Sequence, residues 1–263
     1  MEIGIGKVFR TDLIHHMKVQ AWTAQPRTDK LVDSRFTRHK ASIFHSKHFV
    51  MGSRGPAERP TISFPIRYQP PTDNLTPNQM FPAAINQLAT EGMLIRFINH
   101  QDPHQMLIYT HGTSLSTLRT GTRAGYAFVF EPSVDGCVAS SLEGNELIRI
   151  SVDLTSIRPE LWAAISALRH RHWDQEGITT IVLATNSDHL ARGATHFAPL
   201  WVRAGWVGQN GPINNQDLWK ALLEEVGRYN SLGLTVRIWN IQRRDNQAAY
   251  KAANRAAHIP LKP

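Results

Sequence analysis

The sequence predicts an α/β domain, a mixed sheet with helices on its faces, behind an irregular basic N-terminal extension. Three observations predict it. Short apolar runs bounded by turn residues (Met106–Tyr109, Ala124–Phe130, Thr180–Ala184) read as buried strands. Segments with apolar residues at helical spacing alternate with them, as in Arg158–Arg169 and Asn215–Tyr229. The order is strands first, then helix and strand in alternation, which is the pattern of a sheet covered by helices.

Residues up to about Arg67 show neither period. His15, His16, His39, His45 and His48 lie among Lys, Arg and Ser at spacings that fit no metal-ligand pattern, so solvated positions are expected. Prolines make Pro65–Pro77 a linker, and residues 78–103 are expected to pack a short helix and strand on the domain edge. The predicted domains are thus 1–77, 78–103 and 104–259. The Met106–Tyr109 strand is expected to end at Thr110-His111-Gly112. A polar loop through Gly121 leads to Ala124–Phe130. Asn145–Ser151 alternates apolar and polar residues, as a third strand would. Pro159 suits the first turn of the Arg158–Arg169 helix, because its missing N–H would be unpaired there anyway. Asp188–Gly193 and Thr195–Gly205 read as short helices. Asn215 is a candidate cap for the helix to Tyr229. Leu234–Trp239 is a last strand and Asn246–His258 an Ala-rich closing helix.

Composition narrows the class. The 263 residues are 41% hydrophobic, enough for an ordinary core, and carry a single cysteine, Cys137, too few thiols for a disulfide framework or a zinc cluster. No apolar run is long enough to span a bilayer, and the first residues lack a signal-peptide core, so an intracellular, reducing setting and a monomer are expected. A net charge of +8 is compatible with nucleic acid.

Several blocks then resemble one family. Tyr109-Thr-His-Gly112 is similar to the Tyr-Thr-Asp-Gly closing the first strand of type 1 ribonuclease H, and Arg123-Ala-Gly-Tyr126 matches the start of its second strand in full. Arg158-Pro-Glu160-Leu resembles Arg-Ala-Glu-Leu, and Ala184-Thr-Asn186-Ser resembles Ala-Thr-Asp-Ser. Trp201 to Trp206 with Pro212 to Trp219 resembles the family's Trp-rich helix and Asn-x-Asp-Leu-Trp start. Asn246-Gln-Ala-Ala-Tyr250 resembles Asn-x-x-Ala-Asp. The resemblance runs from about Asp102 to Ile259 and implies a ribonuclease H-like fold, a five-stranded mixed sheet flanked by helices.

In that family four acidic side chains hold two Mg²⁺ ions about 4 Å apart for phosphodiester hydrolysis. Carried over by position, the first Asp is His111, the Glu is Glu160, the second Asp is Asn186 and the last is Tyr250. Only Glu160 is acidic, so the resemblance implies a degenerate site with no cofactor, and Mg²⁺ only if activity survives. Rescue by Asp153, Asp188 or Asp245 is not expected, since Asp188 starts a helix and Asp245 lies in a loop. A His111–Glu160 acid–base pair, or one transition-metal ion on both, are minor readings. The nucleic-acid-binding candidates are Arg119, Thr155, Arg158, Arg192, Arg203, Arg243 and Arg244, with Lys251 and Arg255 as further cations; Trp201, Trp206 and Trp219 are expected to be core. Three functions stay open: an inactive protein that binds RNA–DNA hybrid or duplex, a protein-interaction scaffold, and a working ribonuclease H with a rebuilt site.

Overall fold

The computed structural model describes residues 62–89, 92–117, 121–142 and 157–258. Within them β1 (Ile66–Arg67), α1 (Pro77–Met80), β2 (Ala83–Ile85) and β3 (Ile95–Ile98) precede a long β4 (Gln105–Thr117), then β5 (Gly121–Val129) and β6 (Cys137–Leu142). There follow α2 (Ile157–Arg169), β7 (Thr180–Thr185), α3 (Asp188–Arg192), a π-helical turn at Gly193–Phe197 and α4 (Ala198–Arg203). A small β8–β9 hairpin (Val207–Gly208, Gly211–Pro212) leads into α5 (Gln216–Ser231), β10 (Thr235–Asn240) and α6 (Gln247–His258).

Five strands form the expected mixed sheet. β10, β7 and β4 run parallel, with Thr235 beside Thr180 and Tyr109 beside Ala184, while β5 and β6 continue antiparallel from β4. Three additions enlarge it: β1 pairs parallel with β10, and β3 and β2 extend the lower half of β4.

Successive residues of a strand face opposite ways, so each strand contributes to two cores. Met106, Ile108, Ile181, Leu183, Val236 and Ile238 meet Leu161, Ile165 and Leu168 of α2 and Leu222 and Val226 of α5. Leu107, Tyr109, Val182, Ala184 and Trp239 meet Tyr68, Met80 and Phe81 on the other face. The stretch Pro65–Pro77, expected as linker, therefore carries an edge strand and a buried aromatic, Tyr68, 4.9 Å from the Trp239 ring. Proline does mark irregular backbone there, but irregular backbone can still bury its side chains against an open sheet face.

Other expectations shift similarly. β4 does not stop at Thr110; it continues through His111 and Gly112 to Thr117, because β5 pairs with it residue by residue to Gly121. Its polar end is held by the ladder rather than by apolar burial. The third strand is Cys137–Leu142; the expected Asn145–Ser151 strand lies outside the described residues, as does the histidine-bearing stretch before Ile62. The two short helices near Gly193 form one continuous helical run, and a Cβ at Gly193 would sit 2.3 Å from the Trp219 indole. Asn215 takes a left-handed conformation (φ 58°) and makes no side-chain cap bond to α5. Its Oδ1 accepts from Arg158 Nη1 instead, at 3.1 Å. Trp206 and Trp219 are core as expected, and Trp201 is half-buried against them. No described helix is long and apolar enough to cross a membrane.

Candidate functional site

The site lies where the start of α2 crosses β4. A Cβ at Gly112 would meet the Glu160 nitrogen and Pro159 carbonyl carbon at 2.1 Å, so the missing side chain lets the first turn of α2 rest on the strand. That contact brings Glu160 beside the preceding strand residue: Glu160 Oε1 lies 3.2 Å from His111 Nδ1. Both residues are buried, at 6% and 7% exposure. Glu160 also sits in the first turn of its helix, where the positive end of the backbone dipole favours a carboxylate.

The other two positions approach from neighbouring elements. Thr110 pairs with Thr185 across β4 and β7, which places Asn186 next to the His111 end of that pairing. Tyr250, in the first turn of α6, has its ring centroid 5.1 Å from that of His111. Arg243 lies over the far side of the site: its guanidinium stands 3.9 Å from the Tyr250 centroid, and Nη2 donates to the Tyr250 hydroxyl. The fold thus brings together all four positions that the resemblance singled out.

It also adds one that the sequence reasoning did not assign to the site. Asn246 is buried, and its Nδ2 donates both to the Thr110 carbonyl (2.9 Å) and to Asn186 Oδ1 (2.8 Å). It ties β4, the end of β7 and the start of α6 into one frame. Its place at the head of the Asn246-to-Tyr250 block was the available signal.

The donor set does not fit two Mg²⁺ ions. Two dications about 4 Å apart repel by roughly 17 kcal/mol at an effective dielectric of about 20, and anionic oxygen ligands must offset that. Here one carboxylate is present, an imidazole nitrogen replaces another, and the Asn186 oxygen already accepts from Asn246. The Tyr250 position carries an aromatic ring capped by a cation. Asp188 is turned to Asn240 Nδ2 (3.1 Å) and Arg192 (3.6 Å), and Asp245 pairs with Arg244 at 3.9 Å. Asp153 lies outside the described residues.

The expected nucleic-acid positions divide. Arg192, Arg203, Arg243 and Arg244 are exposed, Arg244 at 75% of its side chain, and Lys251 and Arg255 are exposed on α6. Arg192 also reaches over the Phe197 ring at 5.5 Å. Arg158 is a correction. It is 1% exposed, and its two Nη atoms grip the Asp217 carboxylate at 3.0 and 2.8 Å, so it locks α2 to α5 and cannot meet a phosphate. Arg119 and Thr155 lie outside the described residues.

Comparisons with known proteins bear on the same region. A family model described as RNase H matches residues 103–257. Ribonuclease H of Pseudomonas paraeruginosa (strain DSM 24068 / PA7) is 40% identical over 78 residues, 29% of this chain and 50% of that protein. Ribonuclease H of Coxiella burnetii (strain Dugway 5J108-111) is 34% identical over 109 residues, 41% of this chain and 68% of the relative. The chain spans about half the length of the Pseudomonas relatives it matches. Among solved structures, LC9-RNase H1, described as a type 1 RNase H with the type 2 active-site motif, aligns at 22% identity and a TM-score of 0.41, over 58% of this chain and 72% of that one. The foamy viral protease-reverse transcriptase in complex with RNA/DNA hybrid aligns at 17% identity and a TM-score of 0.43, over 59% of this chain and 20% of that one. With the family model spanning residues 103–257 of 263, and the Coxiella protein covered over 68% of its length, the chain belongs to the ribonuclease H family.

Proposed function

We propose that this chain is a non-catalytic ribonuclease H-like protein that binds RNA–DNA hybrid, or a similar duplex, largely through its phosphates. One observation carries the non-catalytic part. At the convergence of β4, β7, α2 and α6, the only acid among the four family positions is Glu160, and a histidine stands against it at 3.2 Å. Nucleic acid as the ligand rests on family membership and on the exposed cations Arg192, Arg203, Arg243 and Arg244, for phosphate contacts need only cations and backbone donors. The setting that goes with this reading is intracellular, with the protein as a monomer.

Two measurements test it together. A labelled RNA–DNA hybrid incubated with Mg²⁺ or Mn²⁺ is expected to remain uncut, and cleavage that vanishes in Glu160→Gln would overturn the reading. Hybrid affinity is expected to fall with salt, by a slope of about 0.9 for each duplex phosphate contacted. The double variant Arg243→Gln, Arg244→Gln is expected to lower that slope by up to about 2. Affinity without salt dependence, or none at all, would favour a protein-interaction scaffold instead.

A further inference from the structure

The far end of α2 borders a cavity of about 510 Å³ that the hybrid reading does not use. Small-molecule sites run from about 300 to 1,000 Å³, so it has room for a ligand of nucleotide size. His170, on its wall, lies ten residues beyond Glu160, about 15 Å along the helix axis, so the two sites are separate. The frame is the β2–β3 connection seated on the turn after α2. Asn86 Nδ2 donates to the Glu176 carbonyl at 3.0 Å, and a Cβ at Gly177 would meet the Leu88 Cβ at 2.7 Å. The connection supplies an apolar wall, Ala89 and Leu94, and the turn supplies donors, His170, Arg171, His172 and Gln175.

These donors have little else to do. Arg171 Nε stands 3.6 Å from Glu176, too far for a hydrogen bond. Among the described residues nothing hydrogen-bonds the Arg171 guanidinium, the His172 ring or the Gln175 amide. The His170 ring is held by Phe128 and Phe130, each centroid 5.1 Å away. Glu176, the acid on this wall, is gripped at both carboxylate oxygens by Arg96, at 2.9 and 3.0 Å, so its charge is compensated within the protein. Partial desolvation, then the charges of Arg171 and Arg96, lower the His170 imidazole from its usual 6.5. Both charge effects come from cations, so the field at this wall is positive.

We propose that this cavity binds a mononucleotide, its phosphate monoester on Arg171, His172 and Gln175 and its base against Ala89 and Leu94. A phosphate dianion accepts from several directions at once, which suits a guanidinium, an imidazole and an amide converging from one turn. Ala89 and Leu94 offer contact area and no side-chain polar group, so the site does not discriminate among bases. The inference goes beyond the hybrid reading, and none of these residues is among the cations assigned to hybrid.

The test is calorimetric titration of the full chain with AMP at neutral pH and fixed ionic strength, with adenosine as the ligand lacking phosphate. Saturable binding of AMP is expected, with adenosine weaker by about tenfold or more. Arg171→Gln and His172→Gln, both at exposed positions, are each expected to weaken AMP about tenfold or more. Lys220→Gln removes an exposed cation elsewhere and is expected to change nothing, which controls for net charge. No saturable AMP binding, adenosine as tight as AMP, or an Arg171→Gln variant as tight as wild type overturns the proposal. Should a variant unfold, the His170 imidazole titration followed by NMR in the wild type decides. A seated anion favours the protonated ring, so AMP raises the His170 pKa, and an unmoved pKa removes the site. A 5′-phosphorylated dinucleotide that binds about tenfold tighter than AMP would make a strand end the source of the phosphate, and one that binds no tighter would make it a free nucleotide. AMP binding without hybrid binding would refute only the hybrid reading, and the reverse would refute only this one.

Discussion

Two of the buried charged clusters among the described residues are built in opposite ways. Around Arg96, wholly buried, every contact is made: Nε and Nη2 donate to Glu176 at 2.9 and 3.0 Å, Nη1 donates to Glu131 at 2.7 Å and to the Ile95 carbonyl, and the guanidinium lies 5.1 Å from the Phe130 centroid. Around Glu160, two buried atoms, His111 Nδ1 and Glu160 Oε2, have no hydrogen-bond partner. The first cluster is saturated and holds β3, the end of β5 and the turn after α2 together. The second is unsaturated although the backbone under it is packed to contact. A saturated buried network has nothing left to offer a ligand. An unsaturated one in a tight frame marks where a ligand can bind.

The largest effect expected from this comparison belongs to the saturated cluster. Arg96→Leu leaves Glu176 buried without its main partner and is expected to cost about 3–5 kcal/mol in urea unfolding. A loss under about 1 kcal/mol would remove the distinction between the clusters. Next comes the frame beneath the site: Gly112→Ala forces a methyl against the Pro159 and Glu160 backbone and is expected to cost about 1–3 kcal/mol or more by the same measurement. A neutral result would mean that α2 is not seated on β4. Glu160→Gln should move stability by no more than about 1 kcal/mol in either direction, because the carboxylate it removes is incompletely paired. A cost of several kcal/mol would show a saturated pair.

The smallest effect is a pH dependence of the saturated cluster. Partial desolvation of a side chain that stays solvent-exposed, then the charges of Arg171 and Arg96, lower the His170 imidazole from its usual value of 6.5. Protons therefore bind the unfolded chain before the folded one. The associated stability is fully present above about pH 6.5 and is lost as the pH falls from there through the lower folded value. His170→Phe should flatten that part of the urea-midpoint profile between pH 8 and 5. An unchanged profile would place the acid sensitivity elsewhere.

Much of this was legible in the chain itself, and the gaps have physical causes. α2, β7, α5, β10 and α6 matched their expected spans to within two residues, since each carries its own hydrophobic period or, in β7, a continuous apolar run. β4 ran past its expected end because its polar half, Thr113–Thr117, is held by pairing with β5, which leaves no mark in hydropathy. Tyr68 and Phe81 were hidden among prolines and polar residues, because the sheet face they cover is assembled from distant strands. At the site, the blocks around His111, Glu160, Asn186 and Tyr250 predicted their convergence. Asn246 escaped because an amide's importance depends on what it reaches.

Residue identity alone decided the chemistry on offer at the four positions: one carboxylate, one imidazole, one amide and one phenol, whatever the fold does with them. Charge and donor type are properties of a side chain and need no neighbour. Tertiary structure decided which groups are free to act. Arg158 and Arg244 look alike in sequence, yet one is spent inside the domain on Asp217 and the other stands in solvent. The same holds for carboxylates: Glu176 meets a guanidinium, and Glu160 meets an imidazole it does not hydrogen-bond. A long polar side chain's partner is set by elements far away in the chain, and local sequence carries no record of them.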